Sequence, residues 1–146
     1  PARVGGPPIL IGGNGPQRTL PLAARYAQEW NGVFLTPAAF AERSERLDKL
    51  LDAEGRHPQT VRRSLMAGCV FGRDETALQA KLAERDLSVR ELNHQGLAAG
   101  TASQIVDQLG EWSAAGVQRI MLQWMDLDDL AGLEAFAIQV LPQMIP

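Results

Sequence analysis

Hydrophobic residues along this chain fall alternately into short continuous runs and into stripes that repeat every three or four positions. A short run suits a strand buried on both faces, and a stripe suits an amphipathic helix. Ile9-Leu10-Ile11, bounded by Pro7-Pro8 and Gly12-Gly13, predicts the first strand. Leu20, Ala23, Ala24 and Ala27 follow at helical spacing, with Trp30 on about the same face. Pro21 cannot lie deep inside that helix without losing a hydrogen bond. Either Thr19 caps a helix that begins at Leu20, or an earlier start is kinked.

Gly32-Val33-Phe34-Leu35 predicts the second strand, and Thr36-Pro37 is a hydroxyl cap followed by proline at the first helical position. Phe40, Leu47, Leu50 and Leu51 form the stripe of the next helix, which Gly55 stops. Residues 64–71 predict a third buried strand, with Gly68 admitting a neighbour or a ligand at close range. The charged stretch 75–100 keeps Leu78, Leu82, Val89 and Leu92 as anchors and predicts a helical insertion at about 74–100. Thr101 and Gln104 have the spacing of a capping box, opening a helix with Ile105, Leu109 and Trp112 on its buried face and Gly116 at its exit. Residues 118–124 predict the fourth strand. Asp128 then caps a last helix with Leu130, Leu133, Ala137, Val140 and Leu141 inward, ended by Pro142.

Strands and helices in this alternation imply parallel strands joined by right-handed crossovers. Two architectures share the pattern at 146 residues. A doubly wound sheet of four or five strands would be complete, whereas a TIM barrel needs eight strands. One domain, 1–146, is expected at this length.

The net charge of -3 and pI near 5.4 supply no broad positive field, so nucleic acid and anionic membranes are not expected partners. No apolar run approaches a membrane span, and the start at Pro1 lacks a hydrophobic signal core. With Cys69 as the single cysteine, no intramolecular disulfide can form, which fits a soluble protein of the reducing cytoplasm. His57 and His94 do not have metal-ligand spacing, so no metal site is expected. The start without methionine, in a Pro/Gly segment, has the look of a cut inside a longer polypeptide.

Gly12-Gly13-Asn14-Gly15 follows a strand and precedes a helix, a setting in which backbone N–H groups can approach a phosphate without obstruction. A flexible turn would leave the same pattern, since neither a Gly-x-Gly-x-x-Gly motif nor a P-loop lysine is present. Arg18 could add charge-assisted contacts. Ligands of parallel α/β folds gather at the C-terminal ends of strands, which singles out Asn31 and Gly32, Phe71 to Arg73, and Gln123, Trp124 and Asp126. Trp124 could pack on a flat ring or on its own core. Asp126, Asp128 and Asp129 precede a helix, where acids stabilise the N-terminus. No Ser-His-Asp or Cys-His set can be assembled, so the catalytic residues are unknown.

Taken in order, 8–20 (PILIGGNGPQRTL), 22–31 (LAARYAQEWN), 55–58 (GRHP), 63–68 (RSLMAG), 100–109 (GTASQIVDQL), 115–124 (AGVQRIMLQW) and the tail toward Val140-Leu-Pro resemble the second half of luciferase-like monooxygenases. The deazaflavin-dependent branch is the nearest in pattern. The resemblance implies four consecutive βα units forming the C-terminal half of a TIM (β/α)8 barrel. It implies coenzyme F420 or FMN as cofactor, with Gly12, Gly13, Asn14 and Gly15, helped by Arg18, against the phosphate-bearing tail. By the strand-end rule, Trp124 and Asp126 are the candidates to border the substrate. The family's first four βα units, which carry much of the ring pocket and the usual catalytic side chains, are not in this sequence, so activity of the chain alone is not expected. An exposed half-barrel needs a partner, either the missing N-terminal half-barrel or a second copy of itself. Two other readings stay open: a non-catalytic α/β module acting through self-association, and a small nucleotide-binding domain.

Overall fold

The computed structural model describes residues 5–144; Pro1 to Val4, part of the expected irregular start, and Ile145 and Pro146 lie outside them. The elements are β1 (Leu10–Gly12), α1 (Thr19–Tyr26), β2 (Glu29–Val33), α2 (Pro37–Ala53), β3 (Arg62–Phe71), α3 (Glu75–Arg85), α4 (Val89–His94), β4 (Ala98–Gly100), α5 (Ala102–Ala114), β5 (Arg119–Trp124), α6 (Leu130–Gln139) and α7 (Leu141–Met144). All strand pairs are parallel. β1 pairs with β2 and β2 with β3, while β5 runs along the other edge of β3 from Ser64 to Cys69. β4 pairs with Cys69, Val70 and Phe71. It therefore shares β3's β2 edge, beyond the point where β2 stops.

This order decides between the two architectures. A doubly wound sheet reverses its strand order at a switch point and carries helices on both faces. Here the three long connections advance in one direction, β1 to β2 to β3 to β5, and one core joins α1, α2, α5 and α6 to alternate residues of the strands. Ile11, Trp30, Leu65, Ala67, Ile120 and Leu122 supply the sheet side of that core. The architecture is that of four βα units of a (β/α)8 barrel, with helices on the convex side.

Local rules account for most elements. Thr36 Oγ1 accepts from the Ala39 N–H at 3.3 Å, and Pro37 opens α2, whose Phe40, Leu47 and Leu51 are buried. Phe40 stacks on Trp30 with ring centroids 5.2 Å apart. Gln104 Oε1 accepts from the Thr101 N–H at 2.8 Å, and Ile105, Leu109 and Trp112 face inward as the spacing predicts. The insertion forms α3, α4 and β4, and Leu78, Leu82 and Leu92 join Val70 and Ala99 in a second, smaller core. Gly68 meets a neighbour: a Cβ there would come within 3.1 Å of Leu97. Gly96 lies so close to the Phe34 backbone that a Cβ would sit 2.3 Å from its carbonyl carbon, which seats the insertion on the end of β2.

The structure departs from the expectations in six places. Thr19 is the first residue of α1 rather than its cap, and no side chain caps that helix. Pro21, third in the helix, then sits where its missing N–H forfeits nothing. β2 begins at Glu29, three residues before the expected start, and its backbone there pairs with Leu10 and Arg62 while the Glu29 carboxylate accepts from Arg119 across the sheet. β4 was not anticipated; Ala98-Ala99-Gly100 has neither length nor β-branched residues to announce a strand. Asp129, not Asp128, caps α6 by accepting from the Gly132 N–H at 2.8 Å. Finally α6 turns Gly132, Phe136 and Val140 inward, leaving Leu130, Leu133, Ala137 and Leu141 exposed, and Pro142 lies inside the short α7 instead of ending the chain's helices.

Candidate cofactor-binding site

The turn from β1 to α1 is held by bonds to β2. The Gly13 N–H donates to the Asn31 carbonyl at 2.9 Å, and the Trp30 indole Nε1–H donates to the Gly13 carbonyl, also at 2.9 Å. Asn14 extends the pairing with its side chain. Its Nδ2 donates to the Val33 carbonyl at 2.7 Å and its Oδ1 accepts from the Val33 N–H at 2.9 Å. The amide thus copies a strand residue, and its role is to fix the turn, not to reach outward. Gly13 has φ +120°, a conformation that a side chain would strain. At Gly15 a Cβ would come 3.0 Å from Thr19 Oγ1.

With Asn14 clamped, the backbone of the turn is left with donors to spare. The Leu20 N–H is satisfied by the Gly15 carbonyl at 3.0 Å. The N–H groups of Asn14, Gly15, Gln17, Arg18 and Thr19 have no partner among the described residues. Such a cluster of unsatisfied donors at the head of a helix is chemically suited to an anion. Arg18 is exposed and makes no ion pair among the described residues. A phosphate group fits this chemistry: donors and a guanidinium, no carboxylate in the turn, and no Cβ at residues 12, 13 and 15.

At the far side of the sheet the turn after β5 is arranged differently. The Trp124 ring lies 6.3 Å from Phe71 and 6.0 Å from Phe136, and its Nε1–H donates to the Asp126 carbonyl at 2.9 Å. Lys81, from α3, places its ammonium 5.4 Å from the centre of the Trp124 ring. The same ammonium pairs with Asp126 Oδ2 at 3.3 Å and with Asp129. The hydrogen bond from Lys81, then the N–H of Gly132, hold the Asp129 carboxyl below the usual carboxylate range. Lys81 is the residue that sequence reasoning missed here. Its only signal is a lysine beside Leu82 on a helix whose other charges are solvated.

Both turns lie at the C-terminal ends of parallel strands, with β2 and β3 between them. At about 4.8 Å per strand, three steps separate them by roughly 14 Å along the sheet. Gly12, Gly13, Asn14, Gly15 and Arg18 are therefore together, and Trp124 and Asp126 form a second group apart from them. Of the remaining strand-end residues, Asn31, Phe71 and Gly72 are internally engaged, while Arg73 is exposed beside Asp74. Asn31 Nδ2 donates to Ser64 Oγ at 3.0 Å, Phe71 is buried, and the Gly72 N–H donates to the Gly100 carbonyl at 3.1 Å. Cys69 is buried, and burial pushes its thiol up to about 12, so it stays protonated at neutral pH and is not a nucleophile. His57 and His94 are exposed and far from both turns in sequence. No cluster of potential metal ligands occurs among the described residues, and no helix among them is long and apolar enough to cross a membrane.

No family model matches the sequence, and no curated protein matches it. Solved structures do. The coenzyme F420-dependent tetrahydromethanopterin reductase of Methanopyrus kandleri superposes with a TM-score of 0.72 at 16% identity, over 94% of this chain and 51% of its own. An F420-dependent secondary alcohol dehydrogenase, solved with an F420–acetone adduct, gives 0.74 at 14% identity, over 97% and 50%. The oxygenating constituent of 3,6-diketocamphane monooxygenase from Pseudomonas putida, solved with FMN, gives 0.70 at 12% identity, over 96% and 50%. The chain spans about half the length of each of these structures. It has the fold of half a TIM barrel, built from four consecutive βα units.

Proposed function

We propose that the chain is the C-terminal half of a luciferase-like oxidoreductase or monooxygenase working with coenzyme F420 or FMN, and that it holds the cofactor's phosphate-bearing tail. The observation that carries this reading is the row of unpaired amides from Asn14 to Thr19, beside Arg18 and three residues without side chains. In this reading Gly12, Gly13 and Gly15 let the tail approach the backbone. Asn14 acts through its main-chain N–H while its side chain keeps the turn in register with β2. Arg18 neutralises the phosphate.

When bound, such a cofactor carries hydride or activates oxygen, and the protein supplies position and electrostatics. The four units here contribute binding and orientation. Trp124, braced by Phe71 and Phe136, gives a rigid wall on the substrate side, and Asp126 helps hold Lys81 against it. None of the described side chains forms a complete acid–base or nucleophilic set, so the reacting groups belong to another part of the enzyme.

The test is a fluorescence titration of FMN and of coenzyme F420 with the chain and with Gly13→Trp. The native chain should bind one of them in the millimolar range or better, and the variant should lose at least about ten-fold in affinity, since a side chain at this φ distorts the turn. Binding of neither cofactor, or equal binding by both proteins, would overturn the reading.

A further inference from the structure

The concave face of the sheet is the side away from the helices. Alternation puts Glu29, Asn31 and Val33 of β2 there, with Arg62, Ser64 and Met66 of β3 and Arg119, Met121 and Gln123 of β5. Its C-terminal end is partly covered by Leu97 over Gly68. Its N-terminal end is open, in a cleft of about 920 Å³ lined by Pro8, Gln28, Glu29, Thr60, Arg62 and Arg119.

Among the described residues, the charged side chains of this face are Glu29, Arg62 and Arg119. Arg119 Nη1 lies 3.1 Å and Arg62 Nη1 3.9 Å from Glu29 Oε2. The Glu29 side chain is 10% exposed, while those of Arg119 and Arg62 are 49% and 51% exposed. One carboxylate is thus shared by two arginines, and the face carries one positive charge in excess. Each arginine spends its single ionic contact on Glu29 and keeps donors free for another acceptor.

The flanks of the half-barrel are unfinished as well. β1 and β5 each pair on one edge only among the described residues. Beside β1 lie the exposed Ile9, Leu10, Leu22 and Tyr26, and beside β5 the exposed Leu130, Leu133, Ile138 and Leu141. Open edges bordered by apolar side chains are normally covered. The matched structures are about twice as long, which leaves length for another half-barrel. A second copy related by a two-fold axis along the barrel would meet the strand edges equally well, each β5 running parallel to the other copy's β1. Charge separates the two occupants: two copies would enclose two excess positive charges, and like charges brought together in a closed interior oppose association.

We infer that this face closes on a half-barrel that presents at least one carboxylate to Arg62 and Arg119, and that a second copy of the chain is not its occupant. The inference rests on the half-barrel fold and is independent of cofactor binding. The probe is the full chain with Arg119→Glu, whose concave face has one negative charge in excess. By analytical ultracentrifugation and native mass spectrometry, an equimolar mixture with the unmodified chain should form a heterodimer at least about ten-fold tighter than the unmodified homodimer. Arg62→Glu should do the same, which guards against one variant failing to fold, as checked by its thermal melt. Any dimer of the unmodified chain should strengthen as salt is added, because salt screens the repulsion. A homodimer as tight as the mixture, no heterodimer with either variant, or a homodimer weakened or unmoved by salt would each overturn the inference.

Discussion

The turns that leave β1 and β5 stand at the same end of one sheet, yet they treat their polar groups in opposite ways. After β1, side-chain polarity is spent inward: Asn14 bonds both backbone groups of Val33, and the main-chain amides that follow are left over. After β5, polar groups satisfy one another: the Trp124 indole meets a main-chain carbonyl, and Lys81 is shared between Asp126 and Asp129. The first turn therefore has donors to offer an anion, while the second presents an aromatic wall already braced. Where acids and tryptophans cluster in sequence, a binding site is the tempting reading, but unsatisfied donors are the better guide.

Substitutions that break this contrast should rank as follows. Gly13→Ala should cost about 2–3 kcal/mol in chemical denaturation, because an alanine at φ +120° is strained. Asn14→Ala removes two hydrogen bonds to Val33 and should cost about 2 kcal/mol, freeing the turn from β2 while the helices keep their signal in circular dichroism. Lys81→Ala should cost about 1 kcal/mol and shift the Trp124 indole resonance, since the ring loses its cation and two carboxylates lose a shared partner. Asp126→Ala should change stability by less than about 0.5 kcal/mol, because Lys81 keeps Asp129.

Acid should act on the second turn. The Asp129 carboxyl titrates below its usual value in the folded chain, so the stability it adds is complete above the unfolded value and is lost as pH falls through the lowered one. The Trp124 indole resonance should therefore move only below about pH 4. Asp129→Asn should remove that transition, and its persistence in the variant would assign it to another group.

How much of this was legible depended on range. Signals confined to a few residues were readable: Thr36-Pro37 opens α2, Thr101 with Gln104 opens α5, and the glycines after Ile11 mark a turn, in which Gly13 takes a φ above zero. Partners distant in sequence were not. Glu29 lies in a strand with its carboxylate satisfied by Arg119, far along the chain, and no pattern near Glu29 announces that partner. Asn14 has the composition of a ligand-binding residue, and only the position of Val33 shows its side chain to be structural. In α6 nearly every residue is apolar, so periodicity could not pick the buried face, which the sheet sets at Gly132, Phe136 and Val140. The order of the βα units left an open sheet and part of a barrel equally possible, and a resemblance spread over the chain favoured the barrel; the open face could not be seen until the strands were paired.

In the proposed function the β1 turn, and not the β5 turn, receives the anionic end of a cofactor. Amide chemical-shift mapping of the isotopically labelled chain during titration with FMN, and separately with coenzyme F420, compares both turns in one spectrum. Progressive shifts are expected at Asn14, Gly15, Gln17, Arg18 and Thr19 with either or both, and little change from Trp124 to Asp129. Shifts centred on the β5 turn, or none at the β1 turn, would contradict it.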